Sequence, residues 1–220
     1  MTTDTSLSAK ALKEALDRGE VGFILDLRNR DEFEAWRVEG RMPIQTLNIP
    51  QPDFVGEEDR HLHHFPRNRK ILTVCARGDA SKYSAEYLRE HGFDALSLSG
   101  GMEAWSELYV TRKVSEAPLV FQVNRVVRGC LGHVIISEGK AVVIDASRHL
   151  DTVHRILATH KAELSRVIDT HLHADHISGG RDLAENLGAQ YCINPADAAG
   201  VTYAFTTLDD AEEFSIGPIS

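Results

Sequence analysis

Short apolar blocks punctuate the chain: Phe23, Ile24 and Leu25, then Ile71, Leu72 and Val74, then Ala95, Leu96 and Leu98. Blocks of this length, bounded by glycine or charged residues, predict strands buried on both faces. Between them, apolar positions recur at helical spacing. Leu12, Ala15 and Leu16 follow Ser8, which is placed to cap a helix. Residues 31–38 read as a second helix. A third carries Tyr83, Tyr87 and Leu88 on one face, and a fourth carries Trp105. Trp36 and Trp105 both read as core anchors. Strands alternating with helices predict a doubly wound parallel sheet, in which ligands gather at the carboxyl ends of strands. Further along, Ala141, Val142, Val143 and Ile144 predict a strand that ends at Asp145, and Val167-Ile168 predicts another. The polar stretch 114–118 reads as a linker, separating a domain at 1–114 from one at 119–220.

The strand at 71–74 runs directly into Cys75-Ala76-Arg77-Gly78-Asp79-Ala80-Ser81, and a helix follows. A thiolate at the mouth of such a loop faces backbone N–H groups and the positive end of the helix. Arg77 and Lys82 add positive charge, while Asp79 partly offsets it. The same cradle suits the anion of a terminal persulfide. The bland alternative is a buried structural cysteine, but a seven-residue loop with a central Gly78 argues against it. A phosphate-cleaving loop would need an arginine at position 81 for bidentate contact. That residue is Ser81, and position 74 is Val rather than His.

Residues 6–113 resemble the rhodanese family of sulfurtransferases. The matching pieces, in family order, are Asp26-Leu27-Arg28, Glu32-Phe33, Asn48-Ile49-Pro50, the Cys75 loop and Gly100-Gly101-Met102-Glu103-Ala104-Trp105. The resemblance implies that Cys75 is the nucleophile that carries sulfane sulfur. It implies a substrate-binding set of Ala76, Arg77, Gly78, Asp79, Ala80 and Arg28. Its implied partners are small sulfur donors and thiol acceptors, such as thiosulfate and glutathione persulfide. One departure is Gly40-Arg41-Met42-Pro43-Ile44-Gln45, where the family usually has Gly-His-Ile-Pro-Gly-Ala.

Residues 170–176 read Thr-His-Leu-His-Ala-Asp-His, after an apolar run and before Ser178-Gly179-Gly180. His171, His173, Asp175 and His176 put three imidazoles and a carboxylate at the end of a strand. That donor set suits zinc, iron or manganese rather than calcium. The string resembles the metallo-β-lactamase fold superfamily, and within it the glyoxalase II and persulfide dioxygenase branches. In two-metal members the first two histidines serve one metal and the Asp-His pair the other. In persulfide dioxygenases a single iron takes only the first histidine of this segment, here His171. Asp145 resembles the structural aspartate behind the metal loop. Both versions also need a later histidine, and residues 177–220 contain none.

The resemblance therefore covers a half-domain at 119–220. The expected fold class is α/β, a rhodanese-like parallel sheet followed by a partial αββα half-sandwich. The expected cofactor is iron or zinc in an intact parent, with weak or absent metal here. An apolar sheet face without a partner is expected as well, met by a homodimer or by contact with the first domain.

A net charge of −9 argues against general nucleic-acid binding. No apolar run reaches transmembrane length and no signal-like N-terminus is seen, so no membrane partner is expected. Three scattered cysteines give no disulfide framework and point to a reducing cytoplasm. Cys130 and Cys192 read as packed apolar side chains, and His61, His63 and His64 as a solvated loop. The expected function is a Cys75 sulfurtransferase joined to a persulfide dioxygenase-like unit. The alternatives are a glyoxalase II-like thioester hydrolase with a rhodanese accessory domain, or a chain in which only the rhodanese domain acts.

Overall fold

The computed structural model describes residues 5–127, 129–173 and 177–219. Two compact units divide between Leu108 and Tyr109.

In the first unit, β1 (Ser6–Leu7), β2 (Phe23–Asp26), β3 (Gln45–Asn48), β4 (Ile71–Val74) and β5 (Ala95–Leu98) form one sheet. Its order is β1-β5-β4-β2-β3 and every pairing is parallel. All four residues of β2 and of β4 are buried, as a strand covered on both faces requires. The helices are α1 (Ala9–Asp17), α2 (Arg30–Ala35), α3 (Gln51–Phe54), α4 (Glu58–His61), α5 (Asp79–Glu90) and α6 (Gly101–Ser106). Ser8 Oγ accepts from the Ala11 amide at 3.2 Å, and Leu12, Ala15 and Leu16 face the core. On the other side of the sheet, Phe23, Leu25 and Ile71 pack with Phe54, Phe65 and Leu88.

Several expectations change here. The chain leaves α2 at Trp36, whose extended backbone (φ −170°) stops the helix early. Trp36 is half-buried and lies 5.4 Å from the Arg28 guanidinium, so it is not a core anchor, whereas Trp105 is. Tyr83 and Tyr87 lie on a different face of α5 from buried Leu88, because five residues turn a helix by well over a right angle. Their hydroxyls donate to Glu58 Oε1 at 2.8 Å and Asp59 Oδ1 at 2.6 Å. His61 ends α4, and His63 and His64 lie in a 3₁₀ turn rather than an open loop. His61 stacks on Phe54.

The second unit holds a seven-stranded mixed sheet of β6 (Tyr109–Glu116), β7 (Leu119–Arg125), β8 (Cys130–Ser137), β9 (Lys140–Ile144), β10 (Glu163–Asp169), β11 (Gln190–Ile193) and β12 (Thr206–Thr207). The order is β12-β11-β10-β9-β8-β7-β6, with β6 to β9 antiparallel and β9 to β12 parallel. Helices α7 (Asp151–His160) and α8 (Gly180–Leu187) cover one face. There Val153, Ile156, Leu157, Leu183 and Ala184 pack on Ala141, Val143 and Val167.

The stretch 114–118 is not a linker. Lys113 pairs with Phe121 and Glu116 with Leu119, making it the tip of the β6–β7 hairpin. It reads as polar because most of β6 is exposed. Nor is the opposite sheet face bare. Val142, Ile168 and Cys192 meet Ile216, with Leu208, Phe214 and Ile219 packed beside them. The segment 208–219 therefore lies across that face.

Candidate active site and metal centre

Cys75 follows β4, at the carboxyl end of the parallel sheet. Its Sγ accepts from the Gly78 amide at 3.1 Å and the Ser81 amide at 3.4 Å, with Ser81 Oγ also at 3.4 Å. Two backbone amides, those of Gly78 and Ser81, thus face the sulfur where the twelve-residue helix α5 begins. Gly78 makes the turn possible: its φ is +108°, and an added Cβ would lie 2.9 Å from the Gly100 nitrogen. The loop is also held from behind. The Met102 amide donates to the Cys75 carbonyl at 2.9 Å, and the Glu103 amide to the Ala76 carbonyl at 3.0 Å.

Cys75 is 7% exposed, yet it lies on a cleft of about 550 Å³. Leu27, Arg28, Asn29, Glu32, Gln51 and Glu103 help to line that cleft. Ala76, Arg77 and Asp79 are exposed at its mouth, Ala80 is half-buried, and Gly78 is buried. Arg28 is 4% exposed and tightly held. Its guanidinium donates to Asp26 Oδ2 at 2.7 Å, to the Trp36 carbonyl at 2.8 Å and to the Glu32 carbonyl at 3.2 Å. Arg77 Nε meets Glu103 Oε1 at 3.1 Å.

In the second unit, β9 and β10 run parallel and bring Asp145 beside Thr170. Asp145 adopts φ +52°, a left-handed conformation that turns its carboxylate toward the loop after β10. Asp145 Oδ1 accepts from the Thr170 amide at 2.8 Å and meets His173 Nε2 at 3.1 Å. Thr170 Oγ1 donates to Asp145 Oδ2 at 2.9 Å and lies 2.9 Å from His171 Nδ1. The His171 and His173 rings are 4.2 Å apart, and both residues present ligand atoms within 4.8 Å of one another and of Asp145. Two converging imidazoles fit a borderline divalent ion. Asp145, whose oxygens already receive Thr170, fits the role of a carboxylate that orients a ligand histidine. Asp175 and His176 lie outside the described residues.

Residues 8–108 match the family model of the rhodanese-like domain. Over 85 residues the chain is 33% identical to thiosulfate sulfurtransferase GlpE of Shewanella oneidensis, covering 38% of this chain and 75% of that protein. The chain belongs to the rhodanese family. The rhodanese unit is also 28% identical over 99 residues to the putative sulfurtransferase YtwF of Bacillus subtilis, covering 45% of this chain and 87% of that one. Residues 125–214 match the metallo-beta-lactamase superfamily model. Two solved structures are similar. A rhodanese-like domain protein from Staphylococcus aureus has 29% identity and a TM-score of 0.38, covering 46% of this chain and 90% of that chain. ETHE1 from Myxococcus xanthus has 23% identity and a TM-score of 0.38, covering 50% of this chain and 44% of that chain.

Reasoning from sequence passed over Ser81 as merely not an arginine, although its amide and hydroxyl both face the rhodanese sulfur. Glu103, singled out in the sequence only as part of a motif, also lines the cleft and accepts from Arg77. Among the described residues, no helix is long and apolar enough to cross a membrane.

Proposed function

We propose that the first unit is a sulfurtransferase that carries sulfane sulfur on Cys75. The carrying observation is the sulfur itself, which accepts amide hydrogen bonds from Gly78 and Ser81 beside an open cleft. Those donors and the start of α5 stabilise negative charge at one point. The Cys75 thiolate attacks the outer sulfur of a donor. An S–S bond forms at Sγ, the donor's S–S bond breaks, and its electron pair leaves as sulfite or as a thiolate. An acceptor thiolate then attacks that outer sulfur and returns Cys75 to the thiolate. Arg28, engaged by Asp26, braces the cleft wall. The test is the intact mass after a donor is added and removed. The wild-type chain should gain one sulfur atom, and Cys75→Ser none. A variant that still gains it would refute the assignment.

The second unit is proposed as a metal-dependent, persulfide-oxidising partner. On this reading His171 would hold iron, whereas a two-zinc hydrolase would place His171 and His173 on one metal; Asp145 would fix the His173 ring. When bound, such an ion supplies Lewis-acid or redox activation to a sulfur-bearing substrate. Sharing a chain raises the local concentration of one unit's product at the other. In an intact parent that also carries the later histidine, one iron per chain with oxygen uptake on adding glutathione persulfide supports this reading. Two zinc ions and thioester cleavage would replace it with a hydrolase.

A further inference from the structure

At the base of the Cys75 cleft two backbone N–H groups face the sulfur. Two guanidiniums line the cleft, and each already faces a carboxylate: Arg28 meets Asp26 at 2.7 Å and Arg77 meets Glu103 at 3.1 Å. Arg28 has further donors on the carbonyls of Glu32 and Trp36. Glu32 and Asp79 also line the cleft, and among the described residues neither faces a cation within ion-pair distance. Glu32 Oε2 accepts only a long bond from the Asn29 amide, at 3.3 Å. Carboxylates thus outnumber the cations available at the mouth, while the N–H groups of Gly78 and Ser81 concentrate positive potential on the sulfur itself. A small anionic sulfur is welcome at the base. A donor that is a dianion as a whole is repelled on the way in.

Building on the sulfurtransferase reading, we infer that this cleft selects sulfur carriers bearing a cationic amine near the sulfur, namely the persulfides of amino thiols, over inorganic dianions such as thiosulfate. The amine meets Glu32 and Asp79 as the sulfane sulfur reaches Cys75. With R–S–SH as donor, the Cys75 thiolate takes the outer sulfur with its proton, and the donor S–S pair departs as R–S⁻. Atoms and charge balance without any added oxidant or reductant.

The test is single-turnover loading of Cys75 in the full chain, read as the mass gain of one sulfur atom. Three donors are compared across a range of sodium chloride: thiosulfate, cysteamine persulfide and mercaptoacetate persulfide. The last two differ mainly in the charge beside the sulfur. At low salt, cysteamine persulfide should load about tenfold faster than mercaptoacetate persulfide. Salt should slow the amine donor and speed thiosulfate, because screening weakens attraction and repulsion alike. The double variant Glu32→Gln with Asp79→Asn should load thiosulfate about tenfold faster at low salt. Equal rates for the two organic persulfides, or a thiosulfate rate that falls with salt in the wild type, overturn the charge selection alone. Loading by none of the three overturns the sulfurtransferase reading beneath it.

Discussion

Gly101 sits so close to Cys75 that a Cβ added to it would lie 2.4 Å from the Cys75 carbonyl oxygen. Its φ of +58° disfavours a side chain as well. Gly101→Ala should therefore push α6 off the cysteine loop, at about 1–3 kcal/mol of stability. Sulfur loading should fall with it, because the Met102 amide would lose its hold on the Cys75 carbonyl. Gly56→Ala is the control, with φ +92° and nothing within 4 Å, so it should cost only the backbone term. Urea unfolding and mass-detected loading of both variants check the pair.

None of the three cysteines forms a disulfide, and Cys75 and Cys192 should separate by reactivity. Burial pushes the Cys192 thiol up, leaving little thiolate to react. Iodoacetamide at neutral pH should label Cys75 in the folded chain well before Cys192, and in urea the difference should vanish. Peptide mapping of both samples reads this directly. Equal labelling of Cys75 and Cys192 in the folded chain would contradict the packing around β11.

Glu58 should make the first unit acid-sensitive. The Gly56 amide chiefly, then its own amide and the Tyr83 hydroxyl, hold its carboxyl below the ordinary 4.5. A carboxylate depressed in the folded state stabilises the fold above its unfolded pKa and loses that stabilisation as pH falls through the folded one. Glu58→Gln should therefore lower Tm near pH 7 and converge with the wild type at pH values below the unfolded 4.5. Tyr83, raised above 10 mainly by its bond to Glu58, gives the mirror image. Its contribution holds below pH 10 and fades as the pH climbs through the raised value. Melting curves across both windows, with Tyr83→Phe as partner, test the assignment.

Removing the orienting carboxylate should weaken the metal loop. Asp145→Ala would leave His173 Nε2 without the oxygen it meets at 3.1 Å. Metal affinity is expected to drop about 10–100-fold. Competition with a chromophoric chelator, using zinc on the full chain, measures it. An unchanged affinity would show that Asp145 has no part in the centre.

The elements legible in the sequence were those whose side chains had one physical task. β2 and β4 are apolar throughout because both faces are covered, and Ser8 marks the start of α1 through its hydroxyl. The Cys75 loop was legible because a cysteine ends an apolar strand and Gly78 follows at the loop's centre, where the fold uses it at φ +108°. β3 was not, since Gln45-Thr46-Leu47-Asn48 offers one apolar residue on an edge strand. The stretch 114–118, at the tip of the β6–β7 hairpin, reads as a linker for the same reason: an exposed strand has no apolar rhythm. Charge pairing was hidden too. That Arg28 meets Asp26, and Arg77 meets Glu103 across 26 residues, depends on the folded backbone.

The band of chain at 208–219 makes one of these thiols a gauge. Ile216 closes on Ile219 through a backbone pair and packs with Cys192, while Phe214 lies under the Arg166 guanidinium at 4.7 Å. A reagent can meet Cys192 once this band lifts, without the whole sheet coming apart. Where lifting and reseating outpace the reagent, the labelling rate reports how often the band stands open. A single sulfur atom would then count the breathing of a surface that optical probes of global unfolding overlook.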